Sequence, residues 1–290
     1  MKKLLFLSLI SAGLIYLFFT KEGKVIKNVA ISVIAPVEHV KEKGLTVIDR
    51  IEVPEDFTRT LYPANSFQNY IQNYKLKPFG AKIVNYDGND YVYQSGHVGI
   101  FELAVPDNGL QQCADALIRI RAEYLWDMNR KDEIGFNFTS GHYCSWKQYA
   151  EGFRPKINAN KVSFHKTASA NNSKENFHRY LNLIFMYSGT QSLYDELPKI
   201  KTSEELQVGD MLVYAGSPGH IVMLADMAIN SEGEKIFILA QGNTPAQSVH
   251  LLKNLNDLKI SPWYELEMNQ YLEIPTYYFN DTKFVRFKGI

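Results

Sequence analysis

Three polar side chains that are far apart in the chain have the types needed for nucleophilic chemistry. Cys113 is one of two cysteines among 290 residues and lies in the amphipathic segment PDNGLQQCADALIRIRAEYLW. His220 follows a Gly-Ser-Pro-Gly loop at the mouth of an apolar strand, and the next apolar run, KIFILAQGN, ends in Gln241 and Asn243. A thiol near a helix N-terminus, an imidazole that takes its proton and an amide that orients the ring together make a cysteine nucleophile. The competing interpretation is a structural cysteine, because cysteine is among the most buried residue types.

The cysteine requires a helix to position it. The apolar spacing predicts a central helix over 107–127, with Asp107 or Asn108 as its N-cap. Cys113 would then lie in the first turns, at one end of the buried stripe. We expect the helix N-terminus and a protonated His220 to lower the pKa of this thiol.

The histidine and the amides require two neighbouring strands. Residues 208–241 predict a small antiparallel sheet that packs on the central helix. A four-residue turn over 230–233 would place His220 opposite Asn243, with Gln241 diagonal on the same face. A shift of one residue would move His220 to the other face of the sheet.

Four further residues, named below, are considered for secondary roles. Gln112 directly precedes Cys113 and is a candidate oxyanion donor, while Cys144 could form a disulfide with Cys113 after export. His97 and His250 are expected to be structural. The histidines show no recurring ligand spacing, so we expect neither a metal nor a cofactor.

The first residues have the layout of an export signal. Lys2 and Lys3 precede the uncharged run Leu4–Phe19, which is followed by further lysines. Two alternatives remain open for residues 1–22, a retained membrane anchor and a cleaved signal peptide. The first places the protein in the periplasm, tethered to the inner membrane, and the second makes it a secreted protein. Residues 23–50 form a strand or a linker.

Composition indicates a folded domain that does not bind nucleic acid. Hydrophobic residues make up 46% of the chain, and 31 basic residues balance 31 acidic ones without a basic run. We therefore predict one α+β domain over 51–290. It should contain a short helix after Ser66, a hairpin formed by KIVNY and YVYQ, a third strand over 97–105 and a helical insertion over about 173–197.

One segment resembles known cysteine amidases. GDMLVYAGSPGHIVMLADM is similar to the segment of NlpC-type and CHAP-type cell-wall amidases in which Gly-Asp, a strand, a loop, Gly-His and another strand follow one another. The resemblance implies a papain-like arrangement with Cys113, His220 and Gln241 as catalytic residues and Asn243 as the alternative orienting residue. Where those families usually have Asp-Cys-Ser, this chain has the sequence QQCAD.

A second resemblance covers most of the chain after residue 50. LQQCADALIRIRAEYLW, GTQSLYDEL, LAQGNTPAQSVHLLKN and SPWY resemble a bacterial envelope family, common in Bacteroidota, that is known as domain of unknown function 4846. It implies an exported protein and names no catalytic residue. Two functions therefore remain open. One is a cysteine hydrolase, an amidase or peptidase acting on a peptide or peptidoglycan-like substrate, and the other is a non-catalytic envelope binding or assembly protein with a structural cysteine.

Overall fold

The computed structural model describes Tyr16 and residues 20–290. The apolar run Leu4–Phe19, for which an anchor or signal was predicted, lies outside the described residues except for Tyr16. Within the described part, no helix is both long and apolar enough to cross a membrane.

The described residues contain seven α-helices between residues 21 and 196 and fifteen strands, most of them in the second half of the chain. The α-helices are α1 Lys21–Ile34, α2 Val47–Arg50, α3 Phe67–Gln72, α4 Cys113–Asp127, α5 Trp146–Ala150, α6 Lys174–Tyr187 and α7 Thr190–Glu196. The strands are β1 Phe57–Arg59, β2 His97–Ile100, β3 Gly135–Asn137, β4 Tyr143–Ser145, β5 Phe153–Asn158, β6 Lys161–Lys166, β7 Lys199–Ile200, β8 Met211–Tyr214, β9 His220–Asn230, β10 Lys235–Gln241, β11 His250–Leu252, β12 Tyr264–Glu265, β13 Leu272–Ile274, β14 Tyr277–Phe279 and β15 Phe284–Val285.

The main sheet is antiparallel, and the fold is α+β as predicted. Its strand order is β2-β11-β10-β9-β8-β15-β7, with β1 also paired to β9 and β12 to β10. It is larger than the sheet predicted over 208–241, because short segments from both ends of the domain add to its edges. The additional hairpins β3–β4, β5–β6 and β13–β14 lie outside it.

Strand β9 lies at the centre of the core. Its first nine residues are all buried, which is the pattern of a strand covered on both faces. Helices α3 and α4 pack against it. The cysteine helix is therefore held against the strand that begins with His220.

The pairing of β9 with β10 shows how the register near His220 is set. The connecting turn has three residues rather than the four predicted, with Gly233 at a φ of 89° and Asn230 N–H bonded to the Glu234 carbonyl. This turn pairs Ile238 with Asp226, one residue away from the predicted register, but a β-bulge follows and Leu239 pairs with Leu224. The bulge restores the predicted register at the end of β10 that lies nearest His220.

Two segments in the first part of the chain differ in detail from the sequence expectations. Residues 21–34 form a helix, where a strand or a linker was considered, and Thr20 caps it by accepting the Gly23 N–H. The hairpin predicted from KIVNY and YVYQ forms only near its turn, where Val84 and Asp90 make one antiparallel bridge and the Tyr91 N–H bonds to the Ile83 carbonyl. Beyond that bridge, the side-chain amide of Gln94 bonds both the N–H and the carbonyl of Ile83 at 2.9 Å. The insertion over 173–197 is helical as predicted and contains α6 and α7.

Candidate functional site

The cysteine helix starts later than the sequence predicted. Gly109 has a φ of 70°, and the Asn108 side chain accepts the Leu110 N–H, so residues 107–112 form a turn. Gln112 is the N-cap, and the Asp115 carboxylate accepts the Gln112 N–H at 3.0 Å. Cys113 is therefore the first residue of α4, where backbone N–H groups have no acceptor within the helix.

A glycine allows the end of β10 to reach this helix start. A Cβ at Gly242 would lie 3.0 Å from the Ala116 Cβ, 3.1 Å from the Gln112 carbonyl oxygen and 3.6 Å from the Cys113 Cα. Only a residue without a side chain fits this approach without displacing the helix. Because Gly242 follows Gln241, the close approach brings the amide-bearing strand end next to the cysteine.

The Cys113 sulfur lies among backbone amides. The backbone amides of Ala114, Ile221 and Cys113 are close enough to favour the thiolate and act to lower the pKa of the thiol, and Ile221 follows His220 in the chain. Cys113 is nevertheless only 7% exposed. Burial, with a contribution from the Asp115 carboxylate, raises the pKa of the thiol to about 11. The expected lowering of this pKa is therefore wrong, since desolvation outweighs the effect of the three amides.

His220 is bonded to the predicted amide. Its Nε2 lies 2.7 Å from the Gln241 Oε1. Because an amide oxygen can only accept, Nε2 carries the proton and the lone pair is on Nδ1. Burial lowers the pKa of His220 to about 4 despite this hydrogen bond. The resting pair at neutral pH is thus a thiol and a neutral imidazole.

Two further side chains fix the orientation of Gln241. Its Nε2 donates to the Thr276 hydroxyl at 3.0 Å and to His250 Nε2 at 3.2 Å. His250 Nδ1 lies 2.9 Å from the Ser248 carbonyl and donates to it, which leaves Nε2 as the acceptor. If the Gln241 amide were flipped, its two N–H groups would face the N–H of His220, and its oxygen would face the lone pair of His250 Nε2. The orientation shown is therefore the one in which every proton has a partner.

The sequence interpretation missed these two residues. His250 was expected to be structural, yet it lies directly opposite Gln241 in the β10–β11 pair. Thr276 lies in the turn of the β13–β14 hairpin, far along the chain. Pairing β11 with β10 from the sequence would have identified His250, but nothing in the sequence indicated Thr276.

The other predicted amides lie near the site without contacting His220. Asn243 donates to the Thr276 hydroxyl at 3.3 Å, so Gln241 rather than Asn243 orients the imidazole. Gln112 is exposed, and its Oε1 accepts from the Thr244 hydroxyl at 2.9 Å. This bond holds the side chain of Gln112 at the helix start and leaves its nitrogen as the donating group.

The β13–β14 hairpin covers the histidine. The ring centroids of Tyr277 and Phe279 lie 4.7 Å and 6.0 Å from that of His220. Thr276 in the same hairpin bonds to Gln241. We call residues 272–279 the cover hairpin.

The second cysteine belongs to a different part of the fold. Cys144 lies in β4, and the Tyr180 hydroxyl donates to its carbonyl at 2.9 Å. Both cysteines are free, so the Cys113–Cys144 disulfide considered from the sequence is not present. Burial raises the pKa of Cys144 to about 12. In the part of the chain that the structure describes, no group of three His, Cys, Asp or Glu side chains is arranged to hold a metal ion.

Comparison with known proteins assigns the chain to a family but does not identify an activity. No curated protein and no solved structure matches the chain. One family model, described as Domain of unknown function (4846), matches residues 47–286 and so includes the cysteine helix, His220 and Gln241. The chain therefore belongs to the family Domain of unknown function (4846).

Proposed function

We propose that this protein is an exported cell-envelope cysteine hydrolase with a papain-like site that cleaves amide bonds in peptides or peptidoglycan-like substrates. The observation that supports it is the position of Cys113 at the N-terminus of a helix that packs on β9, the strand that begins with His220, whose ring is bonded to Gln241. In this site Cys113 is the nucleophile, His220 the base and Gln241 the orienting residue.

The nucleophile forms by a proton transfer within the site. The Cys113 thiol gives its proton to Nδ1 of His220, which carries the lone pair because Nε2 is protonated and bonded to Gln241. The resulting imidazolium is stabilised by Gln241 Oε1, and the thiolate is stabilised by the amides of Ala114 and Ile221. Burial disfavours this ion pair in the closed state, so the transfer is coupled to substrate entry.

The thiolate then attacks the carbonyl carbon of the amide bond. The oxyanion is stabilised by the backbone N–H of Cys113 and by the side-chain amide of Gln112. His220 returns its proton to the departing amine as the carbon–nitrogen bond breaks, and a thioester to Cys113 remains. His220 then takes a proton from water, the hydroxide attacks the thioester, and the carboxylic acid and the thiol are released.

The proposed location rests on the N-terminal sequence. Lys2 and Lys3 before the run Leu4–Phe19 support export of the domain across the inner membrane, followed by tethering in the periplasm or by secretion after cleavage. Mass spectrometry of the mature N-terminus tests both. A retained residue 2 in the membrane fraction supports the tether, and an N-terminus between residues 20 and 40 supports cleavage.

One observation favours the second candidate function, a non-catalytic envelope binding or assembly protein. Cys113 is buried and its thiol pKa is about 11, which is also what a structural cysteine shows. This candidate predicts that the cover hairpin never opens and that Cys113 can be replaced without loss of function.

Hydrolysis of purified peptidoglycan separates the two candidates. The full chain is incubated with peptidoglycan, and the new amino groups and released fragments are identified by mass spectrometry. The hydrolase is supported if the natural protein and Cys144→Ser release fragments from peptidoglycan while Cys113→Ser and His220→Ala do not. Cys144→Ser is the matched control because it removes the other buried thiol. If the natural protein and Cys113→Ser release the same products, Cys113 is not a nucleophile.

A further inference from the structure

A cavity of about 360 Å³ lies beside β2 and is lined by four basic residues and by no acidic residue. Its basic lining residues are Arg50, Lys82, His97 and Lys253, and Val37, Phe79 and Ile100 form apolar walls. The volume is in the range of small-molecule sites, about 300–1,000 Å³. The cavity is separate from the cysteine, which does not line it.

Arg50 brings a buried charge to this cavity. It is 1% exposed and its hydrogen bonds go to backbone carbonyls, to Gly44 from Nε and Nη2, to Lys77 from Nη2 and to Val98 from Nη1. These bonds account for four of the five N–H groups of a guanidinium. One N–H of Nη1 is left for a ligand, and none of these bonds supplies a negative charge.

Lys253 brings a second buried charge. It is 7% exposed, and Nζ donates to the Ser32 carbonyl at 3.0 Å, which uses one of its three protons. Burial lowers the pKa values of both Lys253 and Arg50. A buried cation that has only carbonyl partners retains much of its desolvation cost, and an anion in the cavity would offset that cost.

His97 supplies a third group with an open hydrogen-bonding position. Its Nδ1 is buried and has no hydrogen-bond partner among the described residues. Arg50 and Lys253 are close enough to affect the titration of His97, so the three groups form one cluster. Because an unpaired buried nitrogen is costly, a ligand atom is the partner that this ring lacks, and the neutral ring can donate to it in the tautomer that has the proton on Nδ1.

We propose that this cavity binds the oxyanion group of a small ligand, a phosphate or carboxylate, through Lys253, the Nη1 of Arg50 and the Nδ1 of His97. The apolar walls contact the rest of the ligand. The bound oxyanion lies next to the network that orients Gln241, since the rings of His97 and His250 are 6.1 Å apart. The proposal does not depend on the hydrolase, and its test does not use activity.

Isothermal titration of the full chain with inorganic phosphate and with acetate, at constant ionic strength and with chloride as the comparison anion, tests the proposal. We expect saturable binding of at least one of the two oxyanions with a Kd on the order of 1 mM or tighter, and none of chloride. Tighter binding of phosphate identifies a phosphorylated ligand, and tighter binding of acetate identifies a carboxylate.

Variants locate the binding. Lys253→Met keeps the aliphatic stem and should weaken binding at least about tenfold, while Lys253→Arg keeps the charge and should restore most of it. Lys82→Met is the matched control, because Lys82 lies at the exposed side of the same cavity and already pairs with Asp90. It should change Kd by less than about threefold.

The natural protein provides a second measurement in case Lys253→Met does not fold. Phosphate or acetate should shift the ring resonances of His97 in nuclear magnetic resonance spectra with the same Kd, and should leave those of His142, on the exposed surface of the β3–β4 hairpin, unchanged. Lack of saturable binding by either oxyanion, or equal binding by Lys253→Met, overturns the proposal.

Discussion

Replacement of Tyr277 by alanine should expose the Cys113 thiol and accelerate its alkylation. The Tyr277 ring lies 4.7 Å from that of His220, and Cys113 is close enough to Tyr277 to contribute to the raised pKa of its hydroxyl. At about pH 7.5, a thiol with a pKa of about 11 is ionised to roughly 1 part in 3,000, whereas the ordinary value of about 8.5 gives roughly 1 part in 10. Full exposure would therefore raise the alkylation rate by up to about 300-fold, and partial exposure by less.

The assay is iodoacetamide labelling of the folded protein, followed by peptide mass spectrometry that distinguishes Cys113 from Cys144. Tyr271→Ala is the matched control. Tyr271 precedes the cover hairpin and contacts Lys24 and Tyr278 rather than His220. Labelling of Cys144 should stay slow in every variant, because that thiol is buried elsewhere and has a pKa of about 12.

Two results would refute this reasoning. Equal Cys113 labelling in the natural protein and in Tyr277→Ala would show that the cover hairpin does not control access. Rapid labelling of the natural protein at the rate of an exposed cysteine would show that burial does not raise the thiol pKa. The second result would support the lowered thiol pKa that is predicted from the helix N-terminus alone.

Three further predictions concern stability and are measured by urea unfolding. Gly242→Val should destabilise the fold by about 1–3 kcal/mol through overpacking against the helix start, and Gly242→Ala by less. Arg286→Met should lower the free energy of unfolding by about 3–5 kcal/mol, because it leaves the fully buried Asp210 carboxylate without the guanidinium that bonds both its oxygens. The double variant with Asp210→Asn should recover part of this loss. Burial raises the pKa of Asp115 to about 7 in the folded protein, compared with about 3.9 in the unfolded chain. Between about pH 4 and pH 7 the folded state therefore keeps a proton that the unfolded state has lost. The free energy of unfolding should fall as the pH rises through this range, by up to roughly 4 kcal/mol. Asp115→Asn should remove that decline, and an unchanged pH dependence would contradict it.

The sequence by itself determined which local elements form where short-range chemistry decides them. Ser66 caps a helix because its hydroxyl accepts the Asn69 N–H three residues later. The apolar runs of β9 and β10 form central strands because they can be buried on both faces. The residue order also brought His220 and Gln241 onto one face, since the end of β10 nearest His220 has the register expected from the sequence.

The tertiary structure decided what the local pattern left open. The predicted register holds near His220 because a three-residue turn and a β-bulge compensate for each other, and no local rule couples the two. Gln94 bonds the backbone of Ile83 with its side chain, and Thr276 reaches Gln241 from 35 residues away, because such side-chain partners depend on packing. The pKa of Cys113 was predicted in the wrong direction for the same physical reason. A helix N-terminus can be predicted from the sequence, whereas the burial that desolvates the thiol exists only in the folded molecule.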